Sequence, residues 1–250
     1  MPAIVWVSTT PQRAQKRHQS SRRAFTLIDV LVSLAIIAVL IGLMLPALSS
    51  IRETSRKVVC SSNIRQIGLS TAMYADDYKG QLPFSKYYDK SLLYNSPADF
   101  ASNKLMLARL AFPDNKWDGL GLLYGRQYCS AAQVYYCPSH KGGHRFETYS
   151  QGWNGAPIDV FTNFQYRGGT ADGKNNLNKM PDRIALVTDG MASDFDFNHS
   201  IGGNVVASDL SIAWFDDSNH ALRLPIDYND PTGKDKLQTA WTLIDFTLFK

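Results

Sequence analysis

Cysteine is scarce in this chain, with three in 250 residues, which excludes a small disulfide-stapled scaffold, a class that is short and cysteine-dense. Phosphate-cradling loops are missing: Gly168-Gly169 and Gly202-Gly203 fit neither the Walker nor the dinucleotide spacing. No Gly-x-Ser-x-Gly elbow surrounds Ser139 either, so nothing points to nucleotide-dependent chemistry or a common serine hydrolase, and no enzyme is expected. Acids are absent from residues 1–24, which carry Arg13, Lys16, Arg17, Arg22 and Arg23. The remainder balances at 21 cations against 22 anions. The net charge of +4 is therefore a property of the N-terminus and provides no basic face for nucleic acid.

Charge of either sign is also absent from Val30 to Leu45. Counted from Phe25, this apolar run is about 20 residues long, enough to cross a hydrocarbon core as a helix. Asp29 stands alone near its start. An unpaired carboxylate in lipid costs at least about 2.5 kcal/mol on insertion scales, so such an acid is read as functional and needs a partner. The cations of residues 1–24 place that segment in the cytoplasm by the positive-inside rule, with the C-terminal part facing outward. Residues 1–24 read as a removable leader. A cut between Ala24 and Phe25 creates an α-amine four residues from Asp29, and the same amine on a neighbouring copy can neutralise that acid within the bilayer.

Arg22-Arg23-Ala24-Phe25-Thr26-Leu27-Ile28-Asp29-Val30-Leu31-Val32, followed by Pro46, resembles the start of type IV pilin-like proteins, specifically pseudopilins with a prepilin-type cleavage and methylation segment. The resemblance implies that a prepilin peptidase cuts before Phe25 and N-methylates it. It also implies that Asp29 pairs with a neighbour's amine as subunits assemble. That family usually has Gly before the cut and Glu as the acid, where this chain has Ala24 and the shorter Asp29. Three further strings carry the likeness: Asn63-Ile64-Arg65-Gln66-Ile67-Gly68, Tyr135-Tyr136-Cys137-Pro138-Ser139 and His199-Ser200-Ile201-Gly202-Gly203-Asn204-Val205. They are read as fold markers. Where an Asp-Gly usually follows the last string, this chain has Asp209-Leu210.

Beyond Pro46 a helical pattern resumes, with Cys60, Ile64, Ile67, Thr71, Tyr74 and Tyr78 on one face. The expectation is a stem helix over residues 25–78, transmembrane over 25–46 with a kink at Pro46, and ended by Lys79-Gly80-Gln81-Leu82-Pro83. Residues 79–250 form the extracytoplasmic globular part. Strand-like runs fall at Gln133 to Tyr136, Arg183 to Val187, Asn204 to Ala207, Ser211 to Phe215 and Trp241 to Phe249, with a hairpin turning at Ser208-Asp209-Leu210. The fold class is α+β, a long N-terminal helix whose amphipathic second half packs on a small antiparallel sheet.

Outside the cytosol, three cysteines suggest one disulfide and a spare thiol, either Cys60 with Cys137 or Cys129 with Cys137. Cys129, Cys137, His140 and His144 superficially form a zinc set, but their spacing is loose; no metal is expected there. Asp189, Asp194, Asp196, Asn198 and His199 put several oxygen ligands within one loop, with Asp194, Asp196 and Asn198 a lesser calcium candidate, and no cofactor is otherwise expected. The function these readings support is a structural subunit of a type II secretion-like or type IV pilus-like filament in the bacterial inner membrane. Its partners would be the prepilin peptidase, other pilin or pseudopilin subunits and membrane lipid. The alternatives are a protein exported through a twin-arginine signal, or a periplasmic ligand-binding domain on a single-pass anchor.

Overall fold

Helix α1 (Leu27–Asp77) begins where a threonine and an acid cap each other. The Thr26 backbone N–H donates to Asp29 Oδ2 at 3.0 Å, and the Asp29 N–H donates to the Thr26 hydroxyl at 3.2 Å. This reciprocal capping box satisfies two of the donors left over at a helix N-terminus. It corrects the expectation that Asp29 has no partner within its own chain. The computed structural model describes residues 26–85, 106–111, 115–168, 175–181, 183–190, 197–222 and 233–249, apart from the side chains of Ala47 and 233–238. The chain divides into two compact units, Met1–Leu48 and Ser49–Lys250.

In the first unit the side chains from Leu27 to Leu45 are exposed on all sides of the helix, aliphatics included. A helix apolar all round has no stable home in water. Among the described residues, α1 is the helix long and apolar enough to cross a membrane. It runs through Pro46 without ending, and the division between units falls just after, at Leu48.

In the second unit, Cys60, Ile64, Ile67, Thr71 and Tyr74 are all buried, while Tyr78 is 37% exposed. The expected face is therefore the packed one up to its last residue. The helix closes as foreseen: the Gly80 N–H reaches back to Ala75 O, and Lys79 and Gly80 both take positive φ.

After α1 come β1 (Leu107–Leu110), β2 (Lys116–Trp117), α2 (Gly121–Gly125), α3 (Phe146–Trp153) and β3 (Val160–Phe161). Then follow β4 (Phe164–Tyr166), β5 (Ala185–Asp189), β6 (Gly202–Ala207), β7 (Ile212–Asp216) and α4 (Gly233–Leu248). A three-stranded antiparallel sheet orders β2-β1-β3, and a four-stranded antiparallel sheet orders β4-β5-β6-β7. The larger sheet has two covered faces. Val187 and Val206 share a core with Cys60, Ile64 and Ile67 of α1; Ala185, Val205 and Phe215 share another with Ala240, Trp241 and Ile244 of α4. Strand and helix approach closely at Gly68, where a Cβ would sit 2.7 Å from the Val206 methyl. The fold is α+β.

Two expected strands are helical. Gln133 to Tyr136 falls largely in a 3-10 turn, Ala132–Tyr135, and Trp241 to Phe249 lies in α4 up to Leu248. In α4 the β-favouring Trp241, Thr242, Ile244 and Phe246 suggested a strand, but burial follows a helical repeat: Ala240, Trp241 and Ile244 are covered and Phe246 is exposed. Packing overrides propensity here. Asp245 fastens the helix, accepting from Arg167 at 2.6 Å and from the Ala185 N–H at 2.7 Å. The β6–β7 hairpin does turn at 208–210, with Leu210 at φ +66°.

Two substitutions test this account by chemical denaturation of the detergent-solubilised chain. Ile64→Ala, which opens a cavity between α1 and the sheet, should cost about 2–5 kcal/mol. Leu210→Gly should stabilise by roughly 1 kcal/mol, because a bulky residue is relieved of a left-handed backbone conformation.

Candidate functional site

The stripe that buries α1 does not start at Cys60. Glu53 and Lys57 are half-buried while their neighbours are exposed, so the four-three repeat extends through two charged residues. Lys57 Nζ lies 4.2 Å over the Trp214 ring. Glu53 accepts from the Ser139 hydroxyl at 3.0 Å and meets His199 Nδ1 at 2.8 Å. Through these contacts the helix reaches a polar cluster inside the core.

Asp189, the last residue of β5, lies at its centre and is 2% exposed. Its Oδ2 accepts from the Asn204 backbone N–H at 2.6 Å and from the Asn204 side-chain amide at 2.8 Å; its Oδ1 accepts from the Asn198 amide and from the Cys60 thiol, both at 2.8 Å. Gly203 makes this possible, because a Cβ there would press within 2.9 Å of Asp189 Cβ. His199, 1% exposed, presents Nε2 to Cys137 Sγ at 3.5 Å and to Asp189 Oδ2 at 3.6 Å. Cys137 follows the 3-10 turn; its backbone N–H donates to Asn163 Oδ1, and its sulfur accepts from the Ser139 N–H at 3.4 Å. Asn63 on α1 donates to Tyr136 O at 3.0 Å, joining the helix to this loop.

The electrostatics follow from that geometry. Burial pushes the Cys60 thiol up, and its hydrogen bonds to Cys137 and Asp189 push it further, so it stays protonated. Burial also raises Cys137, but the hydrogen bonds from Cys60 and His199 outweigh it and hold the group below its ordinary value. Burial disfavours a charged His199; hydrogen bonding to Cys137 and the Asp189 charge prevail and lift it to about 9. For Glu53, burial is opposed by the His199 and Ser139 hydrogen bonds, which leave its carboxyl below the usual range. The cluster therefore sets the Glu53 carboxylate against an imidazole lifted toward its charged form, and places beside that imidazole a thiol whose ionisation is eased.

Of the residues singled out from sequence, Ala24, Phe25, Asp194 and Asp196 lie outside the described residues. Asp29 caps α1 and Pro46 sits within it. Cys60 and Cys137 come together, as one of the two disulfide pairings anticipated, yet all three cysteines are free buried thiols. Cys129 is elsewhere, its carbonyl accepting from Tyr135 OH. Asn198 serves Asp189 and His140. The loose Cys129, Cys137, His140, His144 array is not gathered: His140 turns to Asn198, and His144 stacks on Tyr149. Ser139 meets a carboxylate, not an imidazole.

Sequence reasoning grouped Asp189, Asn198 and His199 only as a calcium-type loop, and missed Glu53 and the two cysteines as their partners. A signal existed, since the strings taken as fold markers contribute Cys137, His199 and Asn204 to one cluster. Cys60, Cys137, Asp189 and His199 are buried, and one ligand atom from each lies within 4.8 Å of the others, so these four are the described residues able to share a metal ion.

Residues 19–45 match the prokaryotic N-terminal methylation motif, which together with the exposed apolar helix marks a type IV pilin-like protein. Residues 49–195 match the family described as "Protein of unknown function (DUF1559)", and the chain belongs to that family. No curated protein and no solved structure matches it.

Replacing the central acid isolates its contribution. Asp189→Ala leaves the Asn204 N–H and side-chain amide without their acceptor in the core and removes one of the two Asn198 amide contacts, and should lower the unfolding free energy by roughly 3–5 kcal/mol. A loss under about 1 kcal/mol in denaturant titration, within the range of ordinary surface changes, would show that the cluster is not what orders this region.

Proposed function

We propose that this protein is a processed structural subunit, not an enzyme, cut between Ala24 and Phe25 by a prepilin peptidase, N-methylated at Phe25 and assembled with other pilin-like subunits. The filament is of the type II secretion or type IV pilus kind. Before assembly the helix anchors the chain in the inner membrane, with residues 1–24 cytoplasmic and the globular unit outside. What carries this reading is the uncovered apolar half of α1, which lies within the methylation motif and has a single acid in its first turn. Lipid can hold such a helix, and once lipid is withdrawn only other helices can bury it.

The capping box refines the role of Asp29. The Thr26 backbone N–H donates to one carboxylate oxygen and stabilises its charge locally. The carboxylate is thus tolerated in lipid before assembly. Its second oxygen and its charge remain for the Phe25 amine of a neighbouring copy. Asp29→Asn separates the two functions, because an amide oxygen can still accept from the Thr26 N–H but carries no charge. That variant should insert and be processed normally while entering filaments at least about tenfold less often, the equivalent of 1.4 kcal/mol. Undiminished incorporation, scored by immunogold counting on sheared filaments, would overturn charge pairing.

N-terminal sequencing of the mature protein checks the processing. N-methyl-Phe25 is expected. A start near Ser49 or Ser50 would favour twin-arginine export, and an intact leader would favour a permanent single-pass anchor for a binding domain.

A further inference from the structure

We infer that Cys60, Cys137, Asp189 and His199 form a closed four-ligand site for a divalent transition metal, zinc foremost, that clasps the second half of α1 to the four-stranded sheet. This goes beyond the sequence expectation of no metal, and it stands independently of the filament reading. The four ligand atoms lie within 4.8 Å of one another. Tetrahedral zinc, with sulfur at about 2.3 Å and nitrogen or oxygen at about 2.0–2.2 Å, has ligand-to-ligand edges of roughly 3.3–3.8 Å. Two edges are already at that length: His199 Nε2 to Cys137 Sγ at 3.5 Å and to Asp189 Oδ2 at 3.6 Å. The others need shifts of about 1 Å or less.

The surrounding contacts are those a metal centre requires. His199 Nδ1 is held by Glu53 at 2.8 Å, which fixes the tautomer that offers Nε2 inward, the carboxylate–histidine–metal arrangement. Cys137 Sγ accepts from the Ser139 N–H. Asp189 is oriented by Asn198 and Asn204 on both of its oxygens. The Cys60 contact to Asp189 is a thiol hydrogen bond; on loading, the S–H protons of Cys60 and Cys137 and any proton on His199 Nε2 leave to solvent, and four dative bonds to the ion form. No redox step is involved.

Two thiolates, an imidazole and a carboxylate suit zinc, not magnesium or calcium, which take oxygen ligands. Four protein ligands leave no open position, so the ion is structural and not catalytic. The ligands come from α1, the loop after the 3-10 turn, the end of β5 and the segment before β6, so one ion ties together segments from residue 60 to residue 199.

The test uses the full-length untagged chain in detergent, purified without chelators. Plasma mass spectrometry should find about one zinc per chain, and replacement by cobalt(II) should give tetrahedral d–d bands and a thiolate-to-cobalt charge-transfer band. Cys60→Ser and His199→Gln should each drop the zinc content at least about tenfold, and Cys129→Ser should leave it unchanged. Glu53→Gln, at a half-buried position, should keep the fold and bind zinc about 10–100-fold more weakly. If the ligand variants do not fold, the cobalt spectrum and the Glu53→Gln affinity decide. The inference is overturned if the wild-type chain, with Cys60 and Cys137 shown to be reduced, holds under about a tenth of a zinc and yields no charge-transfer band. Isolation with a Cys60–Cys137 disulfide would overturn it equally.

Discussion

A carboxylate at the end of β5, almost wholly removed from water, is the constraint around which the globular unit is arranged. Burying an isolated ion costs several kcal/mol even after relaxation, so Asp189 is tenable only with donors on every side. Those donors come from far apart in the chain: Cys60 from α1, Asn198 from the segment before β6 and Asn204 from within β6. Each is placed by an element that must already be packed. The Asp189 hydrogen bonds therefore exist only where all of these elements are packed together, and they penalise any register of β5 against β6 other than the observed one, because a one-residue slip turns the side chain to the opposite face.

Asp29 and Asp189 pose the same electrostatic problem in two solvents. Asp29 sits on an exposed helix and finds its partner one turn back, in Thr26. Local capping is the only solution a lone helix can offer, and it leaves the charge itself unneutralised. Asp189, surrounded by tertiary structure, receives four donors and lies near the His199 imidazole. A single helix carries Asp29 and Cys60, and the two acids differ in compensation: Asp29 keeps a local cap only, whereas Asp189 is held by donors from distant segments.

How much of this was legible follows from which force set each feature. The apolar half of α1, its closure at Gly80 and the Cys60 to Tyr74 face were readable because periodicity and backbone chemistry are local. The β6–β7 hairpin was readable for the same reason. Strand assignment failed at Trp241 and Ile244, whose side chains have high strand propensity but whose burial is dictated by the Ala185 and Phe215 side of the sheet. The polar cluster was hidden more deeply. Glu53 and Lys57 occupy stripe positions that a hydrophobic pattern counts as interruptions, and Asp189 and His199 become partners only through the pairing of β5 with β6.

Those two interruptions also define where the helix changes environment. From Leu27 to Arg52 the described side chains of α1 are exposed throughout, and the first partly covered one is Glu53, close beyond the division at Leu48. A hydrophobic residue at 53 would extend the apolar surface of the first half into the second and blur the boundary between lipid-facing and core-facing helix. A carboxylate cannot go into lipid without cost, yet here it finds Ser139 and His199. Position 53 thus continues the packed stripe with a charge in place of an apolar side chain, and that charge fastens the helix to the sheet through His199.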